Sequence, residues 1–294
     1  MPELPEVETI VRDLKKKIVG RKIIDVWTDW PKTVKFPKKM DKFKREIIGR
    51  KIEKIERRGK NILIFLSGGK LLLVHQKLTG HLLVGRWKIE DNIPRPLMKG
   101  ALEDKVNNYI HFIFFLDDEN QLALSDLRKF AKIMAGAEDE IKKFPDLKNL
   151  GSEPLDKKFT FERFKDRFSG KKGKIKQVLM NQKIIAGIGN IYSDEILWQA
   201  GVYPLKEVQK LKENELKAIY RSMRDIFKKA IGLRGDSMSD FRDTAGRKGR
   251  YQEFHKAYQR TGEPCFRDGT TIKRFKLGGR SGHYCPTCQR LTNN

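Results

Sequence analysis

The chain has 294 residues, and its 38% hydrophobic content is enough to build a core in one or two domains. Its 63 Lys and Arg residues outnumber 38 Asp and Glu residues, and the resulting charge of +25 favours a polyanionic partner, either nucleic acid or an acidic membrane surface. The sequence contains no run of about 18 apolar residues and no signal-peptide pattern, so we expect neither membrane insertion nor secretion.

The first nine residues, MPELPEVET, are an unusual way to begin a chain. Removal of Met1 would expose Pro2 as a secondary amine, and α-amino groups titrate near about 8 against about 10.4 for lysine. Such an amine can attack a carbonyl-like carbon, and the carboxyl group of Glu3 can move the protons. The alternative is structural: Pro2 opens a coil and Glu6 begins a helix as a first-turn acid. We prefer a structural role for Glu8.

A helix over 6–18 is predicted by apolar residues at helical spacing, and Gly20 stands where the helix should stop. Short β-type runs follow, bounded by Gly, Asp or Asn: KIIDVW, KIEKIERR, NILIFL, KLLLVHQKL, HLLVGR, NYIHFIFFL and QLALSDL. These runs predict an antiparallel β-sandwich or barrel. Residues 88–105 have turn residues and no clean period, so we predict a loop there without assigning it a role.

A polar linker, NLGSEPLDKKFT, separates this domain from an α-helical one. In KGKIKQVLMNQKIIAGIGNIYSDEILWQAG, a first helix should end near Gln182 and a second should carry Tyr192 and Glu195. The glycines of AGIGN, Gly187 and Gly189, permit tight turns whose N–H groups could bind a phosphate together with Asn190. A helix over 212–231 and a mobile loop, GLRGDSMSDFRDTAGRKGRYQ, come next.

The three cysteines all lie between positions 265 and 288, and this clustering favours a metal site over a disulfide framework. Cys285 and Cys288 form a Cys-x-x-Cys pair, Cys265 begins a second pair, and Asp268 takes the place of its partner. Three interpretations are open: zinc held by three Cys and Asp268, zinc held by three Cys and water, or a finger without metal. We favour the first interpretation, because the three cysteines retained at these positions are hard to explain without a metal.

In this order, the motifs resemble the formamidopyrimidine-DNA glycosylase family, and the resemblance covers essentially the whole chain. It implies an α+β fold: an N-terminal antiparallel β-sandwich with an N-terminal helix, an α-helical domain with a helix-two-turns-helix motif, and a C-terminal β-hairpin zinc finger. The expected domains are 1–145, 146–252 and 253–294. By resemblance, Pro2 is the nucleophile and Glu3 the general acid and base. Leu4 argues for oxidised purines, since the related endonuclease VIII branch usually has glycine there.

The resemblance implies further roles for residues that alone would suggest ordinary surface or core positions. Lys60 would reach the lesion nucleotide and its phosphate, and His75 would contact a backbone phosphate. Arg280 would enter the minor groove and contact the lesion phosphates. Leu78, where the family commonly has methionine, would fill the space of the flipped base with Arg128 and Phe130, which a spacing of two puts on one side of an extended segment. The remaining expected contacts, to phosphate or to the extruded base, are Glu6, Lys174, Asn190, Ser237, Asp240 and Thr244.

The sequence therefore predicts a bifunctional DNA glycosylase and abasic-site lyase, monomeric and located in the bacterial cytosol or nucleoid, with one structural zinc ion. Its expected partner is double-stranded DNA containing 8-oxoguanine, formamidopyrimidines or abasic sites. The alternatives are an enzyme for oxidised pyrimidines, a non-catalytic reader of damaged DNA, and a basic RNA-associated protein.

Overall fold

The computed structural model describes residues 1–290, which fall into two compact units. The first unit comprises Met1–Lys148 and Leu233–Arg250, and the second comprises Asn149–Gly232 and the chain from Tyr251 onward. The boundaries differ from the three ranges expected from the sequence in two respects. Residues 233–250 belong to the first unit, and the C-terminal hairpin belongs to the same compact unit as the helices. The three expected domain ranges stay a prediction.

The first unit contains four helices and eleven strands. The helices are α1 (Leu4–Lys17), α2 (Met40–Ile47), α3 (Glu138–Lys143) and α4 (Pro145–Lys148). The strands are β1 (Ile23–Trp27), β2 (Val34–Phe36), β3 (Ile52–Arg58), β4 (Asn61–Leu66), β5 (Lys70–His75), β6 (His81–Gly85), β7 (Trp87–Glu90), β8 (Ile93–Pro96), β9 (Ile110–Leu116), β10 (Gln121–Ser125) and β11 (Lys132–Ala137). Helix α1 begins two residues before the predicted start, with Pro5 in its first turn, where a missing N–H costs nothing.

Two sheets build the predicted sandwich. One has the strand order β1-β9-β10-β6 and the other β2-β11-β5-β4-β3. Every pairing is antiparallel except that of β2 with β11, which is parallel and corrects the all-antiparallel expectation. Inward side chains of both sheets, such as Ile64 and Val74 from one and Phe112 and Leu124 from the other, join one buried cluster with the apolar face of α1.

Strand pairing places two connections between the sheets next to each other. Strand β5 pairs with β11, and β6 pairs with β10. Residues 76–80 lead from β5 to β6, and residues 126–131 lead from β10 to β11. The two connections therefore run side by side at one edge of the sandwich, which is how residues about 50 positions apart in sequence come together.

The predicted loop over 88–105 is partly wrong. Strands β7 and β8 form a two-stranded hairpin whose turn residues, Asp91 and Asn92, both have positive φ, as a type I′ turn requires. Pro94 and Pro96 conceal the second strand in the sequence, and such prolines are tolerated because this strand has only one neighbour.

The second unit contains helices α5 (Phe161–Phe168), α6 (Ile175–Met180), α7 (Asn190–Ala200) and α8 (Glu213–Gly232), then the hairpin strands β12 (Lys273–Leu277) and β13 (Arg280–Tyr284). The helix-two-turns-helix prediction matches α6 and α7. Of the two glycines between them, Gly187 has a φ of +98°, whereas Gly189 is extended, so only Gly187 needs the left-handed region. Within residues 1–290, the structure has no helix with the length and apolarity needed to cross a membrane.

Candidate active site and metal centre

The N-terminal segment brings together Pro2, whose nitrogen becomes an amine once Met1 is removed, and the carboxyl groups of Glu3 and Glu6. Pro2 is buried behind Met1, which is 40% exposed, and Glu3 is 2% exposed at the residue before α1. One carboxylate oxygen of Glu6 accepts a hydrogen bond from the Glu3 N–H at 2.7 Å, and the other accepts one from the Asp236 N–H at 2.8 Å. Glu6, which we predicted as a substrate contact, thus fixes the backbone beside Pro2 to the 233–250 loop.

Lys60 and His75 lie at one end of the five-stranded sheet, because Asn61 of β4 is paired with His75 at the end of β5. Lys60 is only 6% exposed, unlike an ordinary hairpin lysine. The His75 Nδ1 accepts a hydrogen bond from the Lys77 N–H at 3.0 Å, so the ring proton of the neutral form lies on Nε2. Burial, with help from the charges of Lys77 and Lys60, lowers the pKa of His75 to about 3. His75 is therefore a neutral hydrogen-bond donor at physiological pH.

Glu8 supports the turn that precedes Lys60, in agreement with the structural role expected for it. Its Oε2 accepts from Arg57 Nε at 2.9 Å, and Arg57 also donates to the carbonyl oxygen of Gly59 at 3.1 Å. Burial alone would raise the pKa of Glu8, but hydrogen bonds and charge from Arg12 and Arg57 hold it below its usual range.

Leu78, Arg128 and Phe130 lie on the two adjacent connections. Leu78 is half-buried in a turn where Lys77 has a φ of +56°, in the left-handed region that favours glycine. Phe130 is 50% exposed, so it is not the core aromatic that was the alternative. The expected extended segment is wrong, because residues 127–129 form a turn. Arg128 and Phe130 nevertheless share a side, since the guanidinium carbon lies 4.7 Å from the ring centroid.

A buried hydrogen bond that sequence analysis missed joins the two connections. The Thr79 hydroxyl donates to Asp126 Oδ1 and accepts from the Arg128 N–H at 3.1 Å. Asp126, which is 2% exposed, also accepts from the Ala131 N–H at 2.7 Å. The turn of Leu78 and the turn of Arg128 are therefore held as one piece.

The 233–250 loop is more firmly held than the predicted mobile loop. The Ser237 hydroxyl donates to the carbonyl oxygen of Phe241 and accepts from the Gly249 N–H, both at 2.8 Å. Thr244 donates to Asp13 of α1 at 3.1 Å, whereas Asp240 is half-exposed. The hydroxyl groups of Ser237 and Thr244 thus have structural partners, and their expected contacts with an extruded base stay predictions.

In the second unit, sequence analysis missed Lys176, and the expected phosphate contact of Lys174 stays a prediction. Lys174 precedes α6, is half-buried and pairs with Glu207 at 3.3 Å. Lys176 is fully buried and donates to Asp194 Oδ1 at 2.5 Å, while Asp194 Oδ2 accepts from both the N–H and Nδ1 of His283, each at 3.0 Å. This ion pair connects α6 and α7 to β13, the strand that begins with Arg280.

Arg280 is exposed beside an open cleft of about 560 Å³. The cleft is also lined by Arg274, Asn190 and Ser281. Asn190, the first residue of α7, donates through Nδ2 to the carbonyl oxygen of Ser281 at 3.0 Å, which fixes the start of the helix to the hairpin. Two guanidinium groups beside a helix start are suited to anionic oxygen atoms.

The metal-binding prediction passes a geometric test. Ligand atoms of Cys265, Asp268, Cys285 and Cys288 all lie within 4.8 Å of one another. The Cys265 and Cys288 sulfurs are 3.6 Å apart, and the Cys285 sulfur is 3.4 Å from the nearer Asp268 oxygen. Zinc bond lengths predict ligand separations of roughly 3.4 to 3.8 Å for a tetrahedral site. Trp198 Nε1 donates to Cys265 Sγ at 3.4 Å, as a second-layer hydrogen bond to a thiolate would. These four residues fit one zinc ion.

Comparisons with known proteins match most of the chain to domains of one enzyme family. The formamidopyrimidine-DNA glycosylase N-terminal domain matches residues 1–133, the H2TH domain of the same enzymes matches 150–242, and the zinc finger found in FPG and IleRS matches 262–291. The formamidopyrimidine-DNA glycosylase of Pelotomaculum thermopropionicum is 40% identical over 99% of this chain and 100% of its own length. The corresponding protein of Streptococcus pneumoniae serotype 4 is 34% identical over 99% of both chains.

Solved structures give the same result. The Lactococcus lactis Fpg in complex with DNA containing an abasic site has a TM-score of 0.85 and 33% identity, covering 98% of this chain and 100% of its own. A complex of MutM with DNA containing carbocyclic 8-oxo-G also has a TM-score of 0.85 and 33% identity, covering 99% and 100%. Because family domains and full-length relatives match along nearly its whole length, the chain belongs to the formamidopyrimidine-DNA glycosylase family.

Proposed function

We propose that this protein is a bifunctional DNA glycosylase and abasic-site lyase that removes oxidised purines from double-stranded DNA. The observation that carries the proposal is the buried Pro2–Glu3 pair at the start of α1, in a chain with the family's three domains. The charge of +25 supports binding of duplex DNA through release of counterions. We infer a monomer that acts in the bacterial cytosol or nucleoid, in line with its bacterial relatives.

The chemistry requires the amine that forms once Met1 is removed. The Pro2 nitrogen attacks C1′ of the damaged nucleotide, the glycosidic bond breaks, and the base leaves with a proton. Glu3 protonates the ring oxygen as the sugar opens, which gives an imine between Pro2 and C1′. The imine acidifies the proton on C2′, so its loss breaks the C3′–O bond. Loss of the C4′ proton then breaks the C5′–O bond, and water releases the protein from the sugar fragment.

Other residues supply the geometry for this reaction. Lys60 and the Nε2–H of His75 are suited to hold phosphates next to the lesion. Both lie at the end of the sheet where β4 begins and β5 ends. Leu78, Arg128 and Phe130 are suited to replace the extruded nucleotide, since Phe130 is exposed and stacked with Arg128. Zinc held by Cys265, Asp268, Cys285 and Cys288 would stabilise the finger that carries Arg280, with no part in bond breaking.

The test is borohydride trapping on a duplex with a single 8-oxoguanine. We expect a covalent adduct that maps to Pro2 and is lost in Pro2→Gly and sharply reduced in Glu3→Gln. Glu138→Gln is the matched control, because Glu138 pairs with Lys142 on the surface of α3 rather than with the reacting groups. Absence of an adduct from folded, Met1-processed protein that still binds the duplex would leave a non-catalytic reader of damaged DNA.

A second candidate is removal of oxidised pyrimidines. One related structure is a complex of the Lactococcus lactis Fpg with DNA containing an oxidised pyrimidine, at 33% identity. Leu4 favours purines for this chain, since the endonuclease VIII branch usually has glycine there, and Leu4 is fully buried at the start of α1. Relative rates on duplexes containing 8-oxoguanine and thymine glycol decide between the two substrates.

A further inference from the structure

Residues 101–107, which overlap the segment without a predicted role, contact the 233–250 loop at several points. After the β7–β8 hairpin the chain forms two short 3-10 turns, Ala101–Glu103 and Lys105–Asn107. We call residues 101–107 the strap. Both the strap and the loop belong to the first compact unit.

The first connection is an ion pair between Asp104 of the strap and Arg242 of the loop. Arg242 is 4% exposed and donates through Nε and Nη2 to Asp104 Oδ2, at 3.0 and 2.8 Å. Its remaining nitrogen, Nη1, donates to the carbonyl oxygens of Ser239 and Phe241, at 3.2 and 2.9 Å. One guanidinium therefore joins the strap to the backbone of the stretch that contains Asp240. Partial burial would raise the pKa of Asp104, but the hydrogen bonds and charge of Arg242 lower it.

The second connection centres on Asn107, which is 1% exposed. Its Nδ2 donates to the carbonyl oxygens of Ala101 and of Gly246 in the loop, at 2.7 and 3.3 Å. Its Oδ1 lies 2.8 Å from Nε2 of the buried His81, and burial lowers the pKa of His81, so a neutral ring donates to Asn107. Gly246 has a φ of +80°, and a Cβ there would lie 2.7 Å from the Ala101 oxygen. The loop can approach the strap this closely only with glycine at this position.

The loop is thus fixed at both ends of its central stretch. On one side, Arg234 binds Asp13 of α1 and Asp243. On the other side, Arg242 and Gly246 bind the strap. Residues 237–241 lie between these anchors and include Met238, which is 50% exposed.

We propose that the strap is a positioning element that holds the 237–241 stretch in the conformation needed to receive an extruded base. This inference rests on the proposed function and adds Asp104, Asn107 and Arg242 as positioning residues. If the damaged base is the only part of the substrate that this stretch contacts, the stretch contributes to the reaction only while the base is present. Loosening the strap must therefore slow removal of a damaged base while sparing strand cleavage at a site that has already lost its base.

The test compares two duplexes of identical sequence, one with 8-oxoguanine and one with an aldehydic abasic site. Asp104→Asn removes the charge of the pair and keeps its shape, and the side chain is 34% exposed, so the variant should fold. We expect its single-turnover rate on 8-oxoguanine to fall about tenfold, which corresponds to about 1.4 kcal/mol. The rate on the abasic duplex should stay within about twofold of the parent, since it involves no base.

The matched control is Glu90→Gln. Glu90 lies on the adjoining hairpin and pairs with Lys88 and Arg95 rather than with the loop, so both rates should be unchanged. Gly246→Ala is a second variant, which should lower the same rate ratio by pushing the loop away from the strap.

Equal losses on both duplexes, or no loss on either in Asp104→Asn, would overturn the role of the strap while the proposed function stands. A parent protein that cleaves neither duplex and forms no adduct with the abasic one would instead overturn the proposed function and the strap with it.

Discussion

The buried ion pair of the second unit allows a sharp prediction about stability. Lys176 and Asp194 both have fully buried side chains, and their nearest atoms are 2.5 Å apart. Asp194→Asn would leave the ammonium of Lys176 facing only neutral oxygens, those of Ser193 at 2.8 Å and Asn190 at 3.3 Å. Removal of one partner from a buried pair typically costs about 3–5 kcal/mol, because the other charge stays buried without compensation.

Lys176→Met should cost less. Asp194 keeps the N–H and the Nδ1 of His283 as hydrogen-bond partners, so its charge remains partly compensated. The double variant removes both charges, so its loss of stability should fall short of the sum of the single losses by about 2 kcal/mol or more. For a chain of this size, the Asp194→Asn loss corresponds to a decrease in melting temperature of roughly 6 to 20 °C.

The assay is thermal and urea unfolding of the four proteins, together with hydrogen exchange of the backbone amides. The His283 N–H donates to Asp194 Oδ2, so its exchange should accelerate in Asp194→Asn more than in Lys176→Met. Additive losses in the double variant, or an Asp194→Asn protein within about 1 kcal/mol of the parent, would refute the reasoning, since the two charges would then not depend on each other.

Three further predictions follow from individual side chains. Asp268→Cys should bind zinc more tightly and Asp268→Ala more weakly than the parent in competition with a chromophoric chelator, because a thiolate is the softer ligand; equal affinities would exclude Asp268 from the site. Thr79→Val should lower the free energy of unfolding in urea by about 1–3 kcal/mol, since the buried Asp126 loses a donor, and a fully stable variant would argue against the observed hydrogen bond. His75 has a folded pKa of about 3, below its ordinary value of about 6.5, so the unfolded chain takes up the proton first and the parent loses stability as the pH falls from about 6.5 towards 3, with no such effect above that range. In the parent, the free energy of unfolding should fall by up to about 1.4 kcal/mol per pH unit in this range, and His75→Gln should show no such fall. Parallel pH profiles of the two proteins would contradict the low folded-state pKa of His75.

The sandwich could be predicted because its strands carry their own signal. Runs such as NILIFL are short, apolar and bounded by turn residues, and β4 forms there between Asn61 and Leu66. The β7–β8 hairpin could not be recognised in the same way, since its strands have four residues each and the second contains two prolines. Strand β2 is shorter still, with three residues, and pairs with a strand almost 100 positions away.

Candidate site residues could be proposed from the sequence only where the residue type and its local motif themselves indicate a reaction. Pro2 and Glu3 are unusual as a sequence, whereas nothing local distinguishes Lys176 from Lys174. Helix α6 begins between them, at Ile175, and turns Lys176 towards Asp194, 18 residues away, while Lys174 stays half-exposed. The same holds for Asn107, whose partner Gly246 is 139 residues distant. Pairing between such distant positions is a property of the tertiary fold.

The hydrogen-bonded pairs that sequence analysis missed in the first unit have the same physical effect. Leu78, Arg128 and the 237–241 stretch lie on turns and loops, where apolar packing alone permits several arrangements of similar energy. Thr79 with Asp126, and Asp104 with Arg242, add hydrogen bonds that are satisfied in one arrangement only, and a buried polar group left without its partner costs about 1–3 kcal/mol. Because that cost disfavours every other position of the turn, the polar pairs select a single geometry where the sheets cannot impose one. An enzyme that must receive an extruded nucleotide needs this selection at its loops, and the chain provides it with polar pairs whose hydrogen bonds are formed within the protein.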